Sequence, residues 1–365
     1  MNHKLIRIIL LGGFLGAGKT TAAIRLAGLL RERGMKAGVI TNDQGHQLVD
    51  GSLVRASGFM GAEIPGGCFC CRFDDFIRGL DRLANEGLDA LIAEPVGSCT
   101  DLMATVLIPL IRNYPGRFAP APYSVLADGP LLAELLTGES LPFSANVRYL
   151  YEKQLEEASV LLLNKADMLA PEQSDELLHT LADKYPGRAV LPVSSASGEG
   201  FDQWINIVLQ EDTIKIHDLK EINYDRYAEA EAALGWYNGT LSLTREREFD
   251  PNDMLLELLE GITGGISTAG GAVAHLKAIA TTQGAGVAKA GVTASDKAVA
   301  FTLQAYDLTG GMDVILNARV EMAPDRLKSV IAGQVEGLRA RHGLAASFNH
   351  EECFRPGYPT PTWPR

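Results

Sequence analysis

Residues 5–30 contain the combination of residue types with the clearest chemical meaning. A run of branched apolar residues ends in a glycine-rich turn, GGFLGAGKTT, and an apolar-periodic helix follows. From Gly13 to Thr20 the turn fits the P-loop pattern G-x-x-x-x-G-K-[ST] in its strand-to-helix context. Glycines let backbone N–H groups wrap a phosphate chain, and the helix N-terminus adds its positive dipole end. The predicted phosphate-binding residues are Gly13, Gly16, Ala17, Gly18, Lys19, Thr20 and Thr21.

Two of these side chains have distinct predicted roles. Lys19 would supply a cation for the β- and γ-phosphates and take part in catalysis, and the Thr20 hydroxyl would bind Mg²⁺. Lys4, Arg7 and the apolar run could instead suggest a signal peptide. The run leads into Gly-Lys-Thr-Thr rather than a small-residue cleavage site, and no stretch reaches the roughly 20 apolar residues that span a bilayer. We therefore expect a cytoplasmic protein without a membrane partner.

A first acidic residue follows the predicted strand 36–41. The segment Asn42-Asp43-Gln44-Gly45 is a polar loop after a strand, which is where a nucleotide-sensing switch would lie. We predict that Asp43 reaches Mg²⁺ directly or through water and helps to position the attacking water. A turn rich in Asn, Asp and Gly for backbone reasons alone remains the alternative.

A second acidic residue ends the apolar strand 88–93, in the segment Glu94-Pro95-Val96-Gly97. An acid at this place in a parallel sheet can hold the Mg²⁺ shell or orient water. We predict these roles for Glu94, and we predict that the backbone N–H of Gly97 senses the γ-phosphate. For Cys99, which follows, a structural role is favoured.

The segment Asn164-Lys165-Ala166-Asp167 follows strand 159–163 and predicts the base specificity. A carboxylate at Asp167 can accept hydrogen bonds from the ring N–H and the exocyclic amine of guanine, a donor pair that adenine lacks, so ATP is penalised. Lys165 can lie over the base, and Asn164 can tie this loop to the P-loop. After the last strand, 189–193, the backbone N–H groups of Ser195 and Ala196 can meet the guanine carbonyl.

The metal-site candidate of the sequence is a cysteine triplet on a Gly/Pro-rich loop. Thiolates suit Zn²⁺, and also Co²⁺, Ni²⁺ or Fe²⁺ with less preference. Adjacent cysteines rarely point the same way, so Glu63, a histidine or water could complete four-coordination. A redox pair and half-buried small hydrophobic residues are the alternatives. The predicted ligands are Cys68, Cys70, Cys71 and Glu63.

Composition restricts the classes of partner. The chain has 365 residues, 46% of them apolar, and a net charge of −12. The length predicts two domains, and the negative charge argues against nucleic-acid binding, because phosphate contacts need Lys and Arg. Three of the five cysteines lie within four residues, which predicts reduced thiols rather than a disulfide framework.

The order of predicted elements gives the fold class. Alternating strands and helices up to about residue 208 predict a doubly wound parallel α/β sheet with its ligand at the strand carboxyl ends. Beyond it, a β-α-β-β-β-α order predicts a smaller α+β layer, with Gly/Ala-rich loops at 264–271 and 284–291. The predicted organisation is a P-loop GTPase domain (1–210), a linker (211–230), a C-terminal α+β domain (231–345) and a solvated tail (346–365).

Together these motifs resemble the P-loop GTPase family that includes the nickel-insertion chaperones of urease and hydrogenase, and within it the CobW-like branch of metallochaperones. The resemblance covers residues 5 to about 208. The cysteine triplet between the P-loop and Glu94 is the mark of this branch. The segments that carry it are GGFLGAGKTT, Asn42-Asp43-x-Gly45, Glu63 before Cys68-x-Cys70-Cys71, Glu94-Pro-x-Gly97 and Asn164-Lys-x-Asp167.

The resemblance implies slow GTP hydrolysis coupled to delivery of Zn²⁺, Co²⁺ or another transition metal to a client metalloprotein, and nucleotide-dependent homodimers. One alternative is a GTPase serving corrinoid assembly or a corrinoid methyltransferase, with a corrinoid protein as partner. Another is a non-catalytic GTP-binding regulator whose cysteines sense redox state. An ATP-using kinase is disfavoured by Asp167.

Overall fold

The computed structural model describes residues 5–45, 49–136, 143–210, 221–294, 296 and 298–364. The chain divides into two compact units. The first comprises Met1–Gln44, Asp50–Tyr227 and Tyr358–Arg365, and the second comprises Gly45–Val49 and Ala228–Gly357. Within the described residues, no helix combines the length and apolarity needed to cross a membrane.

The first unit is built on a parallel sheet in the order β3-β2-β4-β1-β6-β7-β8, with β5 also paired to β1. Its strands are β1 (Ile6–Gly13), β2 (Ala37–Asn42), β3 (Met60–Ile64), β4 (Ala90–Glu94), β5 (Phe118–Pro120), β6 (Ser124–Asp128), β7 (Val160–Asn164) and β8 (Ala189–Pro192). Its helices are α1 (Lys19–Glu32), α2 (Val49–Ala56), α3 (Phe73–Ala84), α4 (Ile108–Asn113), α5 (Gly129–Leu136), α6 (Ala145–Glu156), α7 (Pro171–Lys184) and α8 (Phe201–Leu209). This confirms the predicted α/β class.

The central strands are buried along nearly their whole length, because helices cover both faces of a doubly wound sheet. Only Arg7 of β1 is not fully buried, and every residue of β4, β6 and β7 is buried. Their apolar residues therefore run almost continuously, and β4, β6 and β7 each end in a polar residue at the carboxyl end. Parallel strands bring those ends to one edge of the sheet, where ligands bind in this class of fold. Gly13, Asn42, Glu94, Asp128 and Asn164 end their strands at that edge.

The second unit is an antiparallel sheet in the order β12-β11-β10-β13-β9-β14, with α10 and α11 contributing apolar side chains to its core. This confirms the predicted α+β class. The elements from residue 224 onward are α9 (Tyr224–Ala233), β9 (Leu234–Phe249), α10 (Pro251–Thr268), β10 (Ala272–Thr282), β11 (Val287–Thr293), β12 (Ala300–Leu303), β13 (Thr309–Glu321), α11 (Pro324–His342) and β14 (Ala345–Phe354).

Three predictions in this part of the chain are wrong. Residues 264–268 continue α10 instead of starting a loop, and most of 284–291 belongs to β11, which pairs with β10 through small residues such as Ala288 and Ala290. Residues 346–354 are not a solvated tail, because β14 pairs along β9. Of the predicted linker, residues 211–220 lie outside the described part, and α9 begins at Tyr224.

Candidate functional site

The P-loop connects β1 to α1 as predicted. Gly16 and Gly18 have φ angles of 83° and 92°, a left-handed conformation that L side chains rarely adopt. Lys19 is buried at the start of α1, and its ammonium donates to the carbonyl oxygens of Gly13 (2.8 Å) and Phe14 (3.1 Å). The ammonium is thus held over the loop that the sequence assigns to phosphate. Ala17 is buried beside it, and Thr21 is half-buried in α1.

The structure brings together the two predicted Mg²⁺ ligands on α1 and β4. The Thr20 hydroxyl donates to Glu94 Oε1 at 2.9 Å, and both residues are buried. A hydroxyl and a carboxylate are hard oxygen ligands of the kind that Mg²⁺ prefers. Gly97 is close as well: a Cβ atom added there would lie 2.9 Å from Lys19 Nζ. The backbone of the segment after Glu94 therefore lies beside the lysine.

Asn164 links the predicted base loop to the P-loop. Its amide Nδ2 donates to Ala17 O at 2.7 Å, and its Oδ1 accepts from both the backbone N–H and the hydroxyl of Ser195 at 2.9 Å. A Cβ at Gly18 would lie 2.6 Å from Asn164 Nδ2, so only glycine fits this approach. The link that the sequence proposed for Asn164 is thus present.

Asp167 and Lys165 have different environments in this loop. Asp167 lies on a single 3-10 turn, Ala166–Met168, and is exposed. Its carboxylate is therefore accessible to a ligand. Lys165 Nζ pairs with Asp128 Oδ2 at 2.8 Å, at the end of the neighbouring strand β6. Sequence reasoning placed Lys165 over the base and did not use Asp128. The register of β6 with β7, which aligns Asp128 with Asn164, explains the pairing.

Sequence reasoning also missed Arg25 on α1. Its Nε donates to Ser195 O at 2.8 Å, and a terminal nitrogen donates to Ala196 O. Arg25 thereby fixes the backbone of Ser195 and Ala196 to α1, the helix that follows the P-loop. The N–H groups predicted to meet the guanine carbonyl are in this same backbone segment. A lone arginine in an amphipathic helix gives no signal of this role before the fold is known.

Asn42, directly before Asp43, organises the cysteine loop. Its Nδ2 donates to Ile64 O and to Gly67 O, both at 2.7 Å, and its Oδ1 accepts from the N–H of Phe69 at 2.9 Å. Thr41, the residue before, is the register partner of Glu94. The end of β2 is therefore bonded to the cysteine loop on one side and paired with the Glu94 strand on the other.

The three cysteines of the triplet come together in space. The thiol sulfurs of Cys68, Cys70 and Cys71 all lie within 4.8 Å of one another. A turn makes this possible, because the N–H groups of Cys71 and Arg72 both donate to Cys68 O, at 3.1 and 2.9 Å. The sulfurs of Cys70 and Cys71 are 3.7 Å apart. Two thiolates on a tetrahedral ion with bonds of about 2.3 Å would be about 3.8 Å apart, so the spacing fits Zn²⁺ or Co²⁺.

Thiol–thiol contacts define the electrostatics of this group. Hydrogen bonds from the thiols of Cys70, Cys71 and Cys99 hold the pKa of Cys68 well below its usual range. Hydrogen bonds with Cys68, Cys71 and Cys99 raise the pKa of Cys70. Glu63 is not a member of the three-residue group. It is half-buried in β3 between buried Ala62 and Ile64. Because side chains alternate along a strand, Glu63 points to the face of the sheet opposite to the one that Ala62 and Ile64 occupy.

Residues 358–364 pack on the cysteine loop. The N–H of Thr362 donates to Cys70 O at 2.8 Å, and the Trp363 ring meets Phe73 edge to face with centroids 6.4 Å apart. The backbone N–H of Thr360 is bonded to the Cys71 thiol. Cys71 is the one half-buried thiol of the triplet, and Cys68 and Cys70 are buried. No motif in residues 358–364 predicted this packing.

Removing the Thr362 N–H is expected to make the Cys71 thiol more accessible. In a Cys353→Ser background, Thr362→Pro should react severalfold faster with a thiol reagent than the parent, because proline has no N–H to hold the segment on Cys70 O. Thr362→Ala keeps the N–H and is the matched control. Equal reaction rates for the proline and alanine variants would show that this bond does not protect the thiol.

Gln154 and Glu157 hold the segment that follows Gly97. Gln154 Nε2 donates to the carbonyl oxygens of Gly97 and Cys99, both at 2.9 Å. Glu157 accepts from the Thr100 hydroxyl at 3.1 Å and the Met103 N–H at 3.2 Å. Burial, and then the nearby charge of Asp101, raise the pKa of Glu157 to about 8.

This pKa predicts a pH-dependent stability. A carboxyl group with a raised folded-state pKa stays protonated in the folded protein, so its contribution is complete below about pH 4.5 and is lost as the pH rises through about 8. Between pH 6 and 8 the free energy of unfolding should fall by up to about 1.4 kcal/mol per pH unit. Glu157→Gln should flatten this slope in denaturant titrations. Glu152→Gln, which changes a more exposed acid on α6, the helix that ends directly before Glu157, should not. Parallel profiles for the parent and Glu157→Gln would contradict the assignment.

This arrangement of strand ends, glycine-rich loop and buried lysine defines a P-loop nucleotide-binding protein. A model of the nucleotide-binding domain of the CobW/HypB/UreG family matches residues 7–192, and the chain belongs to this family. The resemblance drawn from the sequence motifs is thereby confirmed.

Named relatives agree with this assignment. The chain is 31% identical over 175 residues to the zinc chaperone YeiR of Escherichia coli K12, covering 47% of this chain and 50% of that protein. It is 29% identical over 189 residues to the zinc chaperone CobW of a Sinorhizobium species, covering 46% and 53%. The chain thus spans about half the length of these relatives. It is also similar to HypB from Helicobacter pylori in complex with nickel, with 22% identity, 57% and 86% coverage and a TM-score of 0.40.

Proposed function

We propose that this protein is a GTP-hydrolysing metallochaperone that binds Zn²⁺ or Co²⁺ through the cysteine triplet and releases it to a client protein. The observation that carries the proposal is the set of bonds from Asn42 into the cysteine loop. One side chain adjacent to the predicted switch residue Asp43 holds the carbonyl oxygens and the N–H around Cys68. The names of the zinc-chaperone relatives support the choice of metal.

The nucleotide roles follow from the geometry. The P-loop and Lys19 would bind the phosphates, and Thr20 with Glu94 would hold Mg²⁺, which would neutralise charge on the β- and γ-oxygens. Asp167 would select guanine, with its loop held by Asn164 and Arg25. Glu94 or Asp43 would orient the attacking water. Turnover should be slow, as is usual for such sites when no partner supplies an arginine.

Coupling would arise from two segments that adjoin the phosphate end. GTP with Mg²⁺ would order the Asp43 loop and the Gly97 segment, and hydrolysis would release both. Because Asn42 bonds the cysteine loop to the end of β2, a change at Asp43 would alter the positions of the thiols. The metal would therefore be held in the GTP state and released after hydrolysis. A reducing cytoplasm, a metalloprotein client and a nucleotide-dependent dimer complete the proposal.

The experiment that tests this function measures metal release during a single turnover. The protein is first loaded with one Zn²⁺ and with GTP, and a chromophoric chelator is present. Addition of Mg²⁺ starts hydrolysis, and the release of phosphate and of zinc is followed together. We expect zinc transfer to keep pace with hydrolysis and to stay slow with a non-hydrolysable GTP analogue. Zinc transfer at the same rate with GTP and with the analogue would overturn the proposal.

A further inference from the structure

Cys99 is a fourth thiol that the triplet pattern does not include. It lies in the segment after β4, its side chain is 2% exposed, and both its backbone N–H and its carbonyl oxygen are hydrogen-bonded. Its N–H donates to Val96 O at 3.0 Å, and its carbonyl accepts from Gln154 Nε2 at 2.9 Å. Its thiol is in hydrogen-bonding contact with the thiols of Cys68 and Cys70.

This placement suits the coordination that the triplet leaves incomplete. Three thiolates occupy three positions of a tetrahedral ion, and a fourth protein ligand closes the site. Glu63, the acidic residue predicted for that position, and Cys99 both lie outside the group of ligand atoms that are all within 4.8 Å of one another, but the Cys99 thiol is hydrogen-bonded to two members of that group. Cys99 is buried, already contacts two of the three thiols, and offers the same soft donor atom.

We propose that Cys99 is the fourth protein ligand of the transferred metal ion, an inference that rests on the proposed metallochaperone function. The ion would then be held by Cys68, Cys70 and Cys71 from one loop and by Cys99 from the Gly97 segment. A closed site of four thiolates retains its ion, whereas a site of three keeps one position open for exchange.

The consequence is a direct link between the γ-phosphate and the ion. Cys99 follows Gly97 by two positions, and the Gly97 backbone lies beside Lys19 Nζ. When hydrolysis releases the Gly97 segment, Cys99 leaves the ion and takes a proton from water, and a client thiolate or imidazole takes the vacated position. The number of metal–ligand bonds is conserved in this exchange.

The test counts sulfur atoms on the metal. X-ray absorption of the zinc-loaded protein with a GTP analogue should show four sulfur neighbours at about 2.3 Å, and Cys99→Ser should show three with one lighter atom. In the cobalt-loaded protein the thiolate charge-transfer absorption should fall by about a quarter in Cys99→Ser, because one of four Co–S bonds is lost. Cys353→Ser, which changes a thiol outside the group, should leave both signals unchanged.

Two results would overturn the inference, and they separate it from the function on which it rests. Three sulfur atoms in the parent protein, with the same spectrum in Cys99→Ser, would reject Cys99 as a ligand while leaving the metallochaperone in place. No cysteine-dependent metal binding in the parent would reject both. The parent measurement decides the ligand count even if Cys99→Ser fails to fold.

Discussion

Asp167→Asn is expected to weaken GTP binding by at least about 100-fold, because a site built to hydrogen-bond two donors loses one acceptor and gains an unmatched donor. Asp167 is exposed on a short turn. Asn164, at the start of the same loop, is hydrogen-bonded to Ala17 and Ser195. The substitution therefore changes the contact with the base and leaves the loop in place. Isothermal titration with a GTP analogue and Mg²⁺ measures the effect.

A compensating ligand separates base recognition from damage to the site. Xanthine presents a carbonyl where guanine presents the exocyclic amine, so the amide of Asp167→Asn has a donor for that carbonyl and an acceptor for the ring N–H. Binding of the xanthosine analogue should therefore recover in the variant. Asp175→Asn, an exposed acid on α7, should bind GTP like the parent. If Asp167→Asn kept full GTP affinity, the guanine assignment would be wrong.

Cys70→Ser and Cys71→Ser should each lower Zn²⁺ affinity by more than about 100-fold, since loss of a ligand exceeds the 10- to 100-fold effect of losing a ligand's hydrogen-bond partner. The two sulfurs are 3.7 Å apart, so both reach one ion. Competition with a chelator of known affinity, under reducing conditions, gives the constants.

The matched control for these variants is Cys353→Ser. Cys353 is a half-buried thiol of the second unit whose Sγ donates to Pro324 O, and it is not a member of the triplet. It should retain the parent's zinc affinity. GTP binding in the absence of a transition metal should persist in all three variants, and this result would show that the variants fold. Unchanged zinc affinity in both triplet variants would favour the redox-regulator alternative.

The parts of the site that sequence could predict are those in which local pattern determines position. The P-loop, Glu94 and Asn164 each follow an apolar run, and parallel strands necessarily bring such ends to one edge. The cysteine triplet was also identifiable, because three thiols within four residues of one loop are a recognisable metal-site pattern. Their convergence through the turn at Cys68 required the structure.

What could not be predicted depends on contacts between distant segments. Asn42, Arg25 and Gln154 act through bonds to loops that are distant in sequence. The motif that contains Asn42 indicates a switch but not its bonds to the cysteine loop, and Arg25 and Gln154 lie in none of the motifs from which the site was predicted. Cys99 looked structural because it stands alone in sequence. In the second unit, the alanines and glycine of β11 lowered its strand propensity, and pairing with β10 overrode that preference.

The central claim is that nucleotide state and metal binding are coupled, and an equilibrium titration tests it most directly. Cobalt is titrated into the reduced protein with GTP analogue·Mg²⁺ and with GDP, zinc is used as competitor, and nucleotide affinity is measured with and without metal. Linkage requires that the GTP state raise metal affinity by the same factor by which metal raises GTP-analogue affinity relative to GDP. We predict a factor of about 5 to 150, the usual range of such coupling. Equal metal affinity in the two nucleotide states would contradict the account.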